Sequence, residues 1–418
     1  MNISLATNFD DALIERVRSY PVDELFGKLS SDVTGGGRAS YQIVGVGRRR
    51  VSEHVRAARA AGIRFNYLLN AACLDNREFT RRGQREIRAL LDWLADIGVG
   101  AVTVASPFLL KIVKTCYPHF RTRVSVFACI DNVRKARMWE DLGADCLMLD
   151  SLLINREFRL LKVVRENVKC ELELLVNNSC MSSCAYSHYH MTTLAHASQS
   201  RHSSKGFFID WCLLRCTMMK LQNPVEYIRS EWIRPEDLHL YEELGYNRFK
   251  ITERSAPTEV LVRRVQAYAE RRYEGNLLDL VQPYGFSKEA SAAETGRNHL
   301  WWILKHLFRP LHVDLRRLWN VKKLAQERGM LRPLAGNPPV VVENRALDGF
   351  MERFFAKGCK DVDCETCRHC HRWAEQAVKI DHAYKARCLP LYEQVFDDLH
   401  SGRMWRKSNP THAPGGPP

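Results

Sequence analysis

Eight of the 14 cysteines lie in two closely spaced groups, and thiols at such spacings can bind a metal centre. The first group comprises Cys180, Cys184, Cys212 and Cys216, and the second comprises Cys359, Cys364, Cys367 and Cys370. The start of the chain lacks the apolar segment of a secretory signal, and in a reducing compartment thiols stay unpaired. Thiolate coordination therefore explains both groups better than disulfide bonds do, and four thiolates bind either zinc or an iron–sulfur cluster.

The spacing within the first group favours an iron–sulfur cluster. Cys212 and Cys216 are separated by three residues, which places both sulfurs on one face of a helix. Structural zinc sites typically use pairs with a two-residue gap, whereas both pairs here have a three-residue gap. We expect a [4Fe–4S] cluster at this group, with zinc as the alternative and Cys73 as a reserve ligand. The competing interpretation is that some of the four cysteines are simply buried core residues.

The second group is more compact and lies near the carboxyl end of the chain. Its spacing, Cx4Cx2Cx2C, is specific for a metal site but not for one metal. A structural zinc ion and a second iron–sulfur cluster that passes electrons both fit this pattern. The identity of this second centre therefore stays open at the level of the sequence.

Short apolar runs alternate with amphipathic stretches over the first 255 residues, which is typical of a parallel α/β sheet. Glycine turns that end helices precede several of the runs, as in DIGVGAVTVA and ELGYNRFKIT. The pattern predicts eight strands, at residues 24–28, 64–69, 101–105, 123–128, 146–149, 171–176, 226–233 and 248–252. Helices are predicted between them, including 52–61, 81–97, 132–142 and 235–244.

Eight βα units predict a TIM-type (β/α)8 barrel, a fold whose chemistry is located at the carboxyl ends of the strands. This rule selects five polar residues that follow predicted strands: Arg38, Asn70, Asn177, Glu253 and Arg254. The two arginines and two asparagines are predicted to bind substrate, because guanidinium groups pair with carboxylates in bidentate geometry. Glu253, or His188 or His190 from the histidine-rich insert, is predicted to transfer protons. The first cysteine group is predicted to lie at the same mouth of the barrel.

The pattern changes along the chain and predicts five regions. A helical arm is expected over 1–22, the barrel over 23–285, a helical connection over 286–345, a small helical, cysteine-rich metal-binding module over 346–400 and a disordered tail over 401–418. The tail prediction rests on its serine, glycine and proline content.

Composition limits the class of protein and its partners. Hydrophobic content of 45% and charged content of 26% are ordinary for a globular chain, and no apolar run approaches the roughly 20 residues that cross a bilayer. We therefore predict a cytoplasmic protein without membrane insertion. The net charge of +14 suits an anionic partner such as RNA or a carboxylate metabolite. Because the arginines are scattered along helices, a solvated basic surface is the preferred interpretation.

Three stretches resemble the collagenase-like peptidase family U32: SEWIRPEDLHLYEELGYNRFKITER, AYAERRYEGNLLDL and VNNSCMSSC. The resemblance implies kinship with iron–sulfur proteins that hydroxylate ubiquinone precursors or RNA bases without oxygen, with prephenate as oxygen donor. It also implies that the first cysteine group holds their cluster at the barrel mouth, and that Glu253 and Arg254 face the site. The short gap between Cys180 and Cys184 departs from the family signature and indicates a separate branch.

The leading hypothesis is a [4Fe–4S]-dependent oxidoreductase or hydroxylase that acts on a small carboxylate-bearing or aromatic metabolite. It would use a prephenate-like oxygen donor and a separate electron donor. The second hypothesis is a peptidase, which needs a nucleophile with a base or a water-activating metal, and neither HExxH nor GxSxG is present. The third is an RNA base hydroxylation factor, motivated by the positive charge.

Overall fold

Eight short strands close into a parallel barrel in which each strand pairs with its neighbour in the sequence and the last pairs with the first. The computed structural model describes residues 1–43, 45–281, 305–329, 334, 336–360 and 362–405. The barrel strands are β1 Asn2–Ala6, β2 Val22–Gly27, β3 Arg64–Leu69, β4 Ala101–Val104, β5 Arg121–Val124, β6 Cys146–Met148, β7 Glu171–Leu175 and β8 Arg248–Ile251. The predicted TIM-type barrel is confirmed.

Two of the predicted elements are wrong. One observed strand was not predicted and one predicted strand is absent from the barrel, so the total of eight strands is unchanged. The predicted helical arm over 1–22 begins instead with β1, which lies between β2 and β8 and closes the barrel before the helix Asp11–Val17. The predicted strand over 226–233 is the helix Val225–Arg229 followed by an extended segment. Pro224 precedes this helix, and Glu226 pairs with Arg229 at 2.8 Å across one helical turn.

Helices cover the outside of the barrel and connect its strands. Their starts follow local rules, since the side chains of Thr80, Ser106, Asn132 and Asp210 accept hydrogen bonds from the first turn of the helix that each precedes. The helices of at least five residues between β1 and residue 281 are Asp11–Val17, Arg48–Ala60, Arg81–Asp96, Pro107–Cys116, Val133–Asp141, Phe158–Asn167, Ser187–Ser198, Trp211–Gln222, Val225–Arg229, Leu238–Glu242 and Thr258–Glu270.

The barrel interior contains a layer of buried charges. Glu24 accepts hydrogen bonds from Ser4, Asn66 and Arg123, and the Nε of Arg123 lies 2.9 Å from Glu24 Oε2. Glu173 lies 3.9 Å from Arg123 and 3.8 Å from Lys250. A separate buried apolar cluster comprises Ala6, Phe26 and Leu68, near the carboxyl ends of β1, β2 and β3. The charged layer therefore supports the strands, and the chemistry of the mouth lies beyond it.

The carboxyl-terminal module is mainly helical. Its two short strands, β9 Val340–Val342 and β10 Val378–Ile380, pair antiparallel, so the module begins before the predicted boundary at 346. Its helices are Glu352–Ala356, Cys364–Cys367, His369–Ala377 and His382–His400, and Leu315–Glu327 packs against the last of them. The predicted helical connection lies partly, and the predicted disordered tail mostly, outside the described residues. No helix in the described part of the chain is long and apolar enough to span a membrane.

Candidate active site at the barrel mouth

Three cations surround the mouth at the carboxyl ends of β2 and β8. Lys28 follows β2, Arg38 lies in the loop beyond it, and Arg254 follows β8. The three are close enough to affect one another, because Arg38 and burial both lower the pKa of Arg254, to about 10, and Arg254 contributes to the lowered pKa of Lys28. The Nη1 atom of Arg254 is buried without a hydrogen-bond partner. This arrangement attracts an anion and leaves a donor to bind it.

Glu253 lies among these cations in a strained backbone conformation. Its φ is +107°, a value that side chains other than glycine rarely adopt. Its Oε2 lies 3.5 Å from Arg38 Nη2, and its Oε1 accepts a hydrogen bond from Ser255 Oγ at 2.6 Å. Both carboxylate oxygens are therefore oriented by neighbours at the rim, as a group that transfers protons requires.

The glycine-rich loop after β2 brings backbone close to the cations. Gly35 has a φ of +75°, and a Cβ there would lie 2.3 Å from the carbonyl oxygen of Ala195. Asp32 holds the loop, because its carboxylate accepts hydrogen bonds from the backbone of Thr34 and Gly35. Lys28 and Tyr67 also bind this carboxylate, at 2.9 and 2.8 Å. The sequence did not single out Lys28, Asp32 or Tyr67, although Lys28 stands at the end of a predicted strand.

The two asparagines predicted to bind substrate differ in what they offer. Asn70 Nδ2 reaches Ser125 Oγ at 3.4 Å, but its Oδ1 is buried without a partner and faces Gly36. Asn177 donates to the carbonyls of Thr252 and Leu280 and accepts from the backbone and hydroxyl of Thr252. Its amide is fully used in joining the ends of β7 and β8, so its position indicates a supporting role instead of the predicted contact with substrate.

The first cysteine group lies beside the same cations. Cys180 follows β7, and Cys212 and Cys216 stand one turn apart on the helix Trp211–Gln222. Burial and the neighbouring thiols raise the pKa of Cys180 to about 11, and burial, Asp210 and the neighbouring thiols raise that of Cys212 to about 12. Arg38 interacts with Cys180 electrostatically and opposes this shift. The four sulfurs therefore share one region of the mouth, next to the predicted substrate-binding arginine.

Whether the first cysteine group holds a cluster or a zinc ion stays a prediction. Across the described ranges, no three His, Cys, Asp or Glu side chains converge closely enough to ligate one metal ion. A cubane cluster distributes its ligand sulfurs over four iron atoms, so its thiolates lie further apart than those around one zinc ion. Burial and the neighbouring thiols raise these pKa values, and thiols must lose their protons before they can bind a metal.

The two histidines predicted to transfer protons lie on the helix Ser187–Ser198. His190 Nε2 lies 3.0 Å from Asp210 Oδ1, and this contact lowers the pKa of Asp210 against the effect of burial. Asp210 caps the helix that carries Cys212, so His190 is close to the cysteines. His188 is exposed, and it opposes the effect of burial that raises the pKa of Asp150, after β6.

The second cysteine group docks against the loop after β6. The backbone N–H of Cys359 donates to Glu157 Oε1 at 2.6 Å. Burial raises the pKa of Cys370 to about 11, with Arg156 opposing and Cys359 and Cys364 adding to the shift. Cys359 and Cys364 therefore both act on Cys370 electrostatically, while a metal at this second group stays a prediction.

The segment that was predicted to be a strand separates the two cysteine groups. The N–H of Glu231 lies 3.4 Å from the carbonyl of Cys180, and its carboxyl adds to the effect of burial that raises the pKa of Cys359. Burial raises the pKa of Glu231 itself to about 7, although Arg156 opposes this. The segment thus contacts both candidate metal sites, which the sequence did not indicate.

Comparison with known proteins identifies the family. The sequence model of peptidase family U32 matches residues 42–275, more than half of the chain. This chain belongs to peptidase family U32. An uncharacterized protease of Methanocaldococcus jannaschii is 27% identical over 347 residues, which cover 81% of this chain and 87% of that protein. A solved structure of a U32 peptidase is 20% identical, with a TM-score of 0.45, and the match covers 60% of this chain and 91% of the other.

One hydrogen-bonded chain in this U32 protein has the residue types of a protease triad. Thr7 Oγ1 lies 2.8 Å from His54 Nε2, and His54 Nδ1 lies 2.6 Å from Asp11 Oδ1. Thr7 and His54 are completely buried, and Thr7 Oγ1 also accepts a hydrogen bond from Phe9 N. Because no substrate reaches the hydroxyl, these residues join β1 to the helix Arg48–Ala60 and do not supply a nucleophile.

The hydrogen-bonded series Thr7–His54–Asp11 makes the stability of the protein depend on pH. Burial lowers the pKa of His54, against the opposing effect of Asp11. The unfolded chain therefore takes up the proton first, and the free energy of unfolding falls as the pH drops below about 6.5. We expect His54→Gln to flatten this dependence between about pH 7 and about pH 5, measured by denaturant unfolding. A variant with the same pH dependence as the unmodified protein contradicts the assignment.

Proposed function

We propose that this U32 protein is a [4Fe–4S]-dependent enzyme that carries out an oxygen-independent hydroxylation, or another redox modification, of a small anionic metabolite. The observation that supports it most strongly is the position of Arg38. Its guanidinium interacts electrostatically with both Cys180 and Glu253, so a candidate cluster ligand and the candidate substrate groups are neighbours at one rim. TIM barrels place their chemistry at this end of the strands.

The side chains of the mouth have distinct tasks in this proposal. Arg254 and Arg38 bind a carboxylate of the substrate or of a prephenate-like oxygen donor, and Asn70 Oδ1 accepts a hydrogen bond from a hydroxyl group of the same molecule. Glu253, oriented by Ser255, transfers a proton at its Oε2 atom, with His190 as the alternative. The cluster, held by Cys180, Cys184, Cys212 and Cys216, supplies one-electron redox chemistry.

The test is anaerobic purification followed by analysis of iron, sulfide and zinc. The proposal expects iron and acid-labile sulfide in equal amounts, with an absorption band that bleaches on reduction. A colourless protein that carries only zinc overturns it. The same analysis decides whether the second cysteine group holds zinc or a second iron–sulfur cluster, which would then receive electrons from a separate donor.

Arg254 provides a second measurement. Replacement by methionine in Arg254→Met removes a charge-assisted hydrogen bond worth about 1.5–3 kcal/mol, so affinity for a dicarboxylate such as prephenate is expected to fall roughly tenfold or more. Isothermal titration calorimetry measures the loss. Arg49→Met is the control, because the Arg49 side chain is 93% exposed and pairs with Glu53 on the helix Arg48–Ala60. Equal affinities for the two variants contradict the assignment.

Proteolysis remains the rival function because the family and the archaeal relative are named for it. Digestion of gelatin or casein that persists after iron is removed, and that anaerobic handling does not affect, supports the rival. Loss of that digestion in Glu253→Gln would assign it to the mouth.

A further inference from the structure

A buried lysine lies beside the first cysteine group without a carboxylate partner. Lys220 is only 6% exposed, and its ammonium group donates to the backbone carbonyl of Ser179 and lies 5.4 Å from the centre of the Tyr227 ring. Within the part of the chain that the structure describes, no carboxylate forms an ion pair with it. Glu226, a carboxylate that acts on it electrostatically, is paired with Arg229 at 2.8 Å.

The ionisable groups that act on Lys220 most strongly are two thiols of the candidate cluster site. Burial lowers the pKa of Lys220, and Cys216 and Cys180 oppose this more than Glu226 does. Cys212, Cys216 and Lys220 follow one another at four-residue steps on the helix Trp211–Gln222, so all three occupy one helical face. Arg328 also acts on Cys216, but it is only half-buried and reaches Thr217 Oγ1.

An unpaired ammonium group inside a protein is costly, because burial removes its hydration and one carbonyl does not replace it. Such a group persists where an opposite charge completes its environment. A metal centre held by four thiolates carries net negative charge, and an iron–sulfur cluster gains one further negative charge on reduction. Lys220 occupies the place that a counter-charge to such a centre requires.

We propose that Lys220 is the built-in counter-charge of the metal centre at Cys180, Cys184, Cys212 and Cys216. The inference rests on the proposed function. Lys220 makes no contact with substrate and acts through the thiolates as a positioning residue. Its charge stabilises the bound centre and favours the reduced form over the oxidised form, since the reduced form is the more negative.

The experiment compares the anaerobically purified protein with Lys220→Met, Lys220→Arg and Lys379→Met. The methionine variant has an unbranched side chain one atom shorter than that of lysine and removes the charge, whereas the arginine variant keeps the charge. Lys379 is the control, because its side chain is 71% exposed. The readouts are the midpoint potential from a redox titration followed by electron paramagnetic resonance, and the rate of iron release to a chelator. Far-ultraviolet circular dichroism confirms that each variant is folded.

Lys220→Met is expected to shift the midpoint potential to a more negative value and to release iron faster, while Lys220→Arg and Lys379→Met stay close to the unmodified protein. A cluster that is present in all four proteins with equal potentials and equal release rates overturns the role of Lys220 and leaves the proposed function intact. An unmodified protein that lacks iron at these cysteines overturns the proposed function and this inference together. A folded Lys220→Arg variant that behaves like Lys220→Met also overturns the proposed counter-charge, because it shows that the shape of the lysine side chain matters and not its charge.

Discussion

Alanine at Cys180 and Cys212 together is expected to remove one metal centre completely and to spare the other. The two cysteines come from different elements, the loop after β7 and the helix Trp211–Gln222, and their thiols share one cluster of neighbours with Cys184 and Cys216. Two lost thiolates leave too few ligands for a cluster. Iron, sulfide and zinc contents, together with the visible spectrum, measure the loss.

Two other variants make this result specific. Cys116→Ala removes an exposed thiol outside both groups and is expected to change neither metal content nor spectrum. Alanine at Cys364 and Cys367 is expected to remove only the metal of the second group. If the Cys180 and Cys212 variant keeps its full iron content while the Cys364 and Cys367 variant loses all iron, the cluster belongs to the carboxyl-terminal module and the proposal for the barrel mouth is wrong.

Arg123→Met is expected to destabilise the folded barrel by about 3–5 kcal/mol, the largest effect on stability that we predict. Arg123 is 1% exposed and binds the fully buried Glu24 at 2.8 Å. Burial alone would raise the pKa of Glu24, but Arg123 and the hydrogen-bond donors outweigh burial and hold that pKa below its usual value. Without Arg123, a carboxylate stays buried and unpaired in the barrel. Denaturant unfolding followed by tryptophan fluorescence measures the free energy.

The neighbouring Arg121 is the matched control. It lies on the same strand, is 38% exposed and binds Glu171 at 3.0 Å, so Arg121→Met is expected to cost about 1 kcal/mol or less. The loss of stability in Arg123→Met is expected to shrink at low pH. In that variant Glu24 has no cationic partner, so its pKa in the folded state is raised and the folded chain takes up the proton before the unfolded chain does. Adding Glu24→Gln should recover part of the stability. Equal losses for the two arginine variants contradict this account of the barrel interior.

Local signals predicted much of the scaffold. Seven of the eight predicted strands overlap observed ones, because each has an apolar run bounded by glycine turns or capping residues, and these preferences act over a few residues. Arg38, Asn70, Glu253 and Arg254 followed from one rule about strand ends. β1 was missed because its five residues carry a weak pattern of their own and are stabilised by pairing with β2 and β8, from distant parts of the sequence.

The amino-acid sequence by itself determined the parallel barrel and the two groups of thiols, since hydrophobic period and cysteine spacing are properties of neighbouring residues. Only the tertiary structure decided that Arg38 interacts with both Cys180 and Glu253, and that Lys220 lies beside two thiols without a carboxylate partner among the described residues. The same holds for the segment at Glu231 that separates the two cysteine groups. These relations depend on which distant residues the closed barrel brings together, and charge and burial acquire their effect on a side chain only there.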